Sequence, residues 1–193
     1  MLSLDALIRE AEIAHGHLCA GQILGVRLAM LGLAKLGIED PRGKDRKRLV
    51  TFVEIDRCAT DAIGVVTGCR LGKRALKFRD WGKMAATFVD LETGKAIRIA
   101  ARESSKKLAR EMHPEIENKN QQQMLAYREM KDDDLFSTQW VKVELPAEEF
   151  PGYKGDRVVC AQCGEGINFR REVERDGRVL CKACAGEKYY QPM

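Results

Sequence analysis

The chain has 193 residues, 45% of them apolar and 32% charged, and a formal net charge of +4. That much apolar side chain offsets the entropy of ordering a chain, which excludes long disorder, and no repeat or low-complexity tract points to a fibrous or solenoid protein. The modest positive charge neither requires nor excludes a polyanionic partner.

The opening MLSLDALIRE has no basic region followed by an unbroken apolar run, so no secretory signal and a cytoplasmic location are expected. Leu4, Leu7, Ile8 and Ala11 recur at helical spacing behind the good N-cap Ser3, predicting an amphipathic helix that ends near His15. A short loop with His15, His17 and Cys19 follows. Ala20 to Ile38 is the most apolar stretch and nearly long enough to span a bilayer, but it carries Arg27, Lys35 and four glycines. Because a charge near the bilayer centre costs at least about 2.5 kcal/mol, the stretch is predicted to be a buried helix closed by Gly37, and no membrane segment is expected. Gly21, Gly25 and Ala29 lie four apart and form a smooth ridge, suited either to tight packing within the chain or to a dimer contact.

The segment PRGKDRKR, residues 41–48, holds five basic residues without interleaved aromatics and reads as a solvated turn. Leu49 to Ile55 alternates as a strand, and Cys58 to Cys69 reads as a helix with Ala59, Ala62, Ile63 and Val66 on one face. After a loop containing glycine and lysine, Met84 to Leu91 and Lys95 to Ala101 flank Thr93 and Gly94 as a hairpin. Ser104 to Met112 and Glu117 to Met130 look helical, and their polarity predicts a surface element or arm. A strand from Gln139 to Leu145 precedes Pro146, Pro151, Gly152 and Gly155, the best domain boundary in the sequence. Irregular succession of helices and strands predicts an α+β core of mixed helix and antiparallel sheet over residues 1–150, with a small appendage at 156–193.

Seven cysteines in a reducing compartment point to metal or thiol chemistry rather than a disulfide framework. Four of them, Cys160, Cys163, Cys181 and Cys184, stand as two Cys-x2-Cys pairs separated by seventeen residues. This spacing suits a tetrahedral Zn(II) site closed by four thiolates. Between the pairs, Ile167 to Arg171 and Arg178 to Leu180 flank the Asp176-Gly177 turn, and the last pair is expected to open a short helix. Knuckle, hairpin and helix in that order resemble a treble-clef finger. CAQCGEGI with LCKACA is also similar to the zinc finger of the DksA/TraR family. Such a segment is too short for an adequate apolar core, so metal ligation supplies stability and the finger offers a platform for a protein or nucleic-acid partner. Arg170, Arg171, Arg175 and Arg178 are candidate contacts, with Glu172 and Glu174 interrupting them.

The remaining chemistry lies in the core. In His15-x-His17-x-Cys19 an extended backbone would put all three side chains on one side. Cys58-x-x-Asp61 opens a helix, where a thiol is expected to have a depressed pKa. Imidazole, thiolate and carboxylate together suit a borderline metal or a nucleophile beside a base, and spacing alone also allows an incidental cluster. Cys69 reads as a buried small hydrophobe.

HGHLCAGQILGVRLAMLGLAKLG and CATDAIGVVTGCRLGKRALKFRDWGKMAATF resemble the FmdE family, named after a component of formylmethanofuran dehydrogenase. The matching motifs are His15 to Gly21, Cys58 to Ile63, Thr67 to Cys69, Gly72 with Lys73, and Asp80 to Lys83. Ala20 stands where that family usually has proline. The resemblance implies an α+β core that pairs into a homodimer, sometimes followed by a zinc finger. It also implies that His17, Cys19, Cys58 and Asp61 share a crevice. His17, Cys19 and Cys58 are then candidate ligands of a second metal, with Asp61 as fourth ligand or outer partner and His15 as ligand or orienting group. Lys73 and Lys83 are candidate contacts for an anionic cofactor. The chain is too short to supply a pterin, iron-sulfur clusters and a hydrolase site together, so it is not expected to be the dehydrogenase itself. Two functions follow. One is a metal-binding accessory or sensor protein. The other is a metal- or thiolate-dependent enzyme of one-carbon or molybdopterin-linked metabolism, with Cys58, Asp61 and His17 as catalytic candidates.

Overall fold

The computed structural model describes residues 2–193, and the chain divides into two compact units, Met1–Glu144 and Leu145–Met193. In the first, helix α1 (Leu4–His15) is capped by the Ser3 hydroxyl, which accepts the Ala6 N–H at 3.3 Å, and Gly16 closes it with φ 95°. Helix α2 (Ala20–Leu36) ends at Gly37. Strand β1 (Leu49–Val53) leads into α3 (Cys58–Thr67), and β2 (Leu76–Phe78), β3 (Ala85–Asp90) and β4 (Ala96–Ala101) follow. Then come α4 (Ser104–Met112), α5 (Lys119–Glu129), the short α6 (Asp132–Leu135) and β5 (Phe136–Val141).

The five strands form one mixed sheet in the order β2-β1-β3-β4-β5, parallel only between β1 and β2. Its inner face carries Val53, Ala86, Phe88, Ile97 and Ile99, which join Ile23, Leu28 and Leu33 of α2 and Ala62, Ile63 and Val66 of α3 in the main core. The α+β architecture therefore stands. No helix among the described residues is long and apolar enough to cross a membrane.

Helix α2 is apolar on most sides because it is the central element, and its small residues serve packing within the chain. A Cβ on Gly25 would lie 2.5 Å from the Ala59 carbonyl oxygen and 2.8 Å from its Cα, so α2 and α3 touch backbone to backbone. A Cβ on Gly32 would overlap the Phe88 ring, where α2 crosses β3. The charge inside this helix is also accounted for. Arg27, with its side chain only 12% exposed, donates to the carbonyl oxygens of Tyr127 at 2.7 Å and Met130 at 2.5 Å and to Asp132 at 2.6 Å. The carbonyls that the last turn of α5 leaves without an intrahelical donor thus find one.

Two sequence expectations change here. The polar stretch around α5 is not a surface arm: Ala126 and Tyr127 are buried, and Gln122 donates to the carbonyls of His113 and Ile116 at 2.8 and 3.2 Å. Glutamines hid this face because their burial depends on backbone acceptors supplied by the fold. The loop after α3 contains β2, whose three residues become a strand only by pairing with β1 at Thr51↔Leu76 and Phe52↔Lys77.

Two buried carboxylates brace the sheet. Glu54, just beyond β1, accepts a two-pronged bond from Arg98 on β4 at 2.7 and 2.6 Å. Asp90, 1% exposed, accepts another from Arg48 at 3.0 and 2.7 Å. That guanidinium holds the Asp90 carboxyl down at about 2, from an ordinary 3.8, against the opposing effect of burial. A carboxyl depressed on folding contributes stability above its unfolded pKa and loses it as pH falls through the folded value. The difference corresponds to about 2 kcal/mol, so Asp90→Asn should lower unfolding stability in urea by about that amount at pH 7. The difference from wild type should shrink between about pH 4 and pH 2. Gly25→Ala should cost roughly 1–3 kcal/mol in the same measurement, because the added methyl meets backbone that cannot yield cheaply.

Candidate functional site

The second unit is organised around four thiols. Strands β6 (Val158–Val159) and β7 (Gly166–Ile167) flank the first knuckle, and β8 (Val173–Arg175) pairs with β9 (Arg178–Leu180) before the second. Asp176 and Gly177, with φ 51° and 68°, make the tight turn expected from their sequence. Strand β8 begins later than the predicted Ile167 to Arg171, because Phe169 and Arg170 take positive φ values and break that run. The helix expected at the last cysteine pair is reduced to one turn, in which the Ala185 N–H donates to the Cys181 carbonyl at 2.9 Å, and Gly186 with φ 108° stops it. The knuckle, hairpin and turn of a treble-clef-like finger remain.

The ligand atoms of Cys160, Cys163, Cys181 and Cys184 all lie within 4.8 Å of one another. The Sγ atoms of Cys163 and Cys181 are 3.8 Å apart. Four Zn–S bonds of about 2.3 Å at tetrahedral angles require just such a separation. The backbone prepares the site for anionic sulfur. N–H donation from Cys163 and Cys181, the latter at 3.2 Å, holds the Cys160 thiol down at about 6. Burial and the three neighbouring thiols push Cys184 up to about 12. Four thiols this close cannot all ionise unaided at neutral pH, and a divalent cation supplies the missing charge. The donors fit zinc, which with no open position would staple the finger rather than react. Around it Cys160, Ile167 and Leu180 form only a small apolar cluster. Elemental analysis should therefore find zinc that Cys181→Ser removes. Chelation should abolish the slow amide exchange of residues 158–184 while leaving that of α2 and β3 intact.

The second group of residues gathers where α1 ends and α2 and α3 begin. His15 is the last residue of α1, Gly16 turns the chain, and Cys19 is the N-cap of α2. The segment is thus a turn between helices rather than the extended run that the alternate spacing suggested. His15 Nδ1 still reaches Asp61 Oδ2 at 2.8 Å, and the rings of His15 and His17 lie 4.7 Å apart. Cys58 opens α3 and shares a hydrogen bond with the Cys19 thiol. Gly21 leaves room for the pair: a Cβ there would be 3.3 Å from Cys58 Cβ and 3.7 Å from Cys19 Sγ.

These donors form neighbouring pairs, Cys19 with Cys58 and His15 with Asp61, with His17 against His15. Among the described residues only the finger thiols bring three or more ligand atoms within 4.8 Å of one another. The expected depressed thiol at Cys58 is also overturned. Burial raises its pKa, with the adjacent Cys19 adding to the effect, and both outweigh the position at a helix start. Of the two candidate lysines, Lys73 lines a pocket at the far end of α3 with Arg42, Arg46 and Arg70, and Lys83 lies over the Trp81 ring. Cys69 is 3% exposed and packed in the core.

Two residues of this region escaped the sequence reading. Gln22, fully buried, donates to the Cys58 carbonyl at 2.6 Å, and its Oε1 has no hydrogen-bond partner. A glutamine in the first turn of so apolar a helix was the available signal. Asn120 of α5 accepts the Ala20 N–H at 3.1 Å. A proline at position 20 has no N–H to give, so where the family usually has a ring, this chain holds the turn after Cys19 by a hydrogen bond from 100 residues away.

Residues 14–137 match the family described as FmdE, molybdenum formylmethanofuran dehydrogenase operon. The chain belongs to the FmdE family. Residues 153–190 match the prokaryotic DksA/TraR C4-type zinc finger, in agreement with the thiol geometry. A protein of Archaeoglobus fulgidus described as a probable S-adenosyl-L-methionine-binding protein is 32% identical over 208 aligned positions. The alignment covers 96% of this chain and 54% of that protein, so the chain spans about half the length of this curated relative. An FmdE-like protein of tungsten formylmethanofuran dehydrogenase type from Syntrophus aciditrophicus shares the fold, with a TM-score of 0.67 at 22% identity over 98% of this chain and 96% of that one.

Proposed function

We propose that this FmdE-family protein is a metal-binding accessory or regulatory protein of the cytoplasm. In this reading its core crevice takes a second metal and its zinc finger docks a protein or nucleic acid. The observation that carries the core reading is the Cys19–Cys58 thiol pair, held beside the His15–Asp61 pair where α2 and α3 start. Two thiols and an imidazole are a donor set for a borderline divalent cation. Cys19, Cys58 and His17 would bind it, replacing the shared thiol proton by metal charge. Asp61, hydrogen-bonded to His15, orients that imidazole at the rim. The bound cation would supply Lewis acidity to an incoming ligand. The orphaned Gln22 Oε1 supports a polar occupant, since a buried amide oxygen without a donor is costly unless one arrives. The family resemblance supports pairing of two copies.

Metal counting tests this reading. Anaerobically purified protein should carry two metals per chain, and Cys58→Ser should remove one of them while zinc remains in the finger. Equal metal content in wild type and variant would overturn the core site.

A second reading rests on the Archaeoglobus relative and its description as a probable S-adenosyl-L-methionine-binding protein. Under it the crevice is an enzyme site, with Cys58 or a metal-bound group acting on a one-carbon donor. Saturable binding of S-adenosylmethionine, lost in Cys58→Ser and His17→Gln, would favour the enzyme over the sensor.

A further inference from the structure

We propose that the pocket at the carboxy end of α3 is a binding site for a compact phosphate-bearing anion. Its volume is about 400 Å³, and Glu10, Arg42, Arg46, Arg70 and Lys73 are its charged lining. Four cations against one carboxylate leave it strongly positive. Arg42 pairs with Glu10. Among the described residues Arg46, Arg70 and Lys73 form no ion pair. Like charges gathered in a concave wall focus a positive potential and attract a counter-ion.

The backbone is shaped to hold these side chains. Gly64 lies on α3, and a Cβ there would stand 2.9 Å from Arg70 Nη1. Gly68 caps the same helix with φ +69°, and a Cβ there would stand 3.0 Å from Arg42 Cγ. Two arginine side chains therefore lie directly on the glycine surface of one helix end, one on each side of the last turn. The negative end of the helix dipole, about half a charge, opposes an anion here, but it is small against the cations.

The chemistry of the lining selects the ligand. Guanidinium forks match phosphate oxygens two at a time, and lysine adds a mobile point charge. No aromatic ring lines the pocket, so it lacks a stacking platform for bases or single strands. Its size is that of a small-molecule site. A phosphate or diphosphate group, free or carried on a small metabolite, fits these features better than a nucleic acid. The thiol pair lies at the opposite end of α3, so this site is separate from the core crevice and independent of the reading proposed for it.

Calorimetric titration of the zinc-replete full chain with inorganic pyrophosphate should show saturable one-site binding. Arg70→Gln and Lys73→Gln should each weaken it at least tenfold with melting temperature and metal content unchanged. Gly64→Ala removes no charge but displaces the Arg70 guanidinium, and it should weaken binding as well. A nucleoside diphosphate that binds more tightly than pyrophosphate would assign the group to a phosphorylated metabolite, and equal affinity would assign it to free phosphate. Pyrophosphate binding unaltered by both charge variants would overturn the proposal. So would duplex DNA bound through Arg70 and Lys73 without competition from pyrophosphate.

Discussion

The contact on which the first unit depends is the backbone-to-backbone approach of α2 and α3 at Gly25. With a carbonyl oxygen 2.5 Å from where its Cβ would be, no other residue fits there without moving a helix. This approach aligns the starts of the two helices, so that Cys19 and Cys58, far apart in the chain, share a hydrogen bond. Gly21, one turn earlier, keeps the space between the thiols open. Packing and chemistry therefore have one cause, the absence of side chains along one ridge of α2.

Around this contact the polar groups of the core are paired rather than excluded. Arg27 meets the end of α5, Gln22 holds the start of α3, and Glu54 and Asp90 each receive a guanidinium fork. Each bond joins elements distant in sequence. Removing one partner would leave the other buried and unsatisfied, which costs more than the bond itself contributes. The polar pairs thus fix which helix lies against which strand, while apolar burial supplies most of the driving force.

The two thiol groups follow opposite logics. In the finger, backbone N–H groups and close sulfurs favour metal even though little apolar surface surrounds them. In the core, burial keeps the Cys58 thiol protonated and its neighbours stand in pairs. The first is a closed staple and the second a polar crevice with an unsatisfied amide oxygen at its edge.

The sequence by itself determined the helices bounded by Ser3, Gly37 and Gly68, the β3–β4 hairpin, the four finger ligands and the family. Each of these rests on local capping, on turn chemistry, or on spacing of side chains in a few tens of residues. It also named the residues of the crevice, through the family motifs. Only the tertiary structure decided how they meet: the pairing of His15 with Asp61, the raised thiol of Cys58, and the substitution of an Asn120 hydrogen bond for a proline ring after Cys19. The short strand β2, the buried face of α5 and the arginine-lined pocket at the end of α3 were hidden for the same reason. Their character comes from partners that the chain brings together across long separations, and no local pattern of residue types encodes those partners.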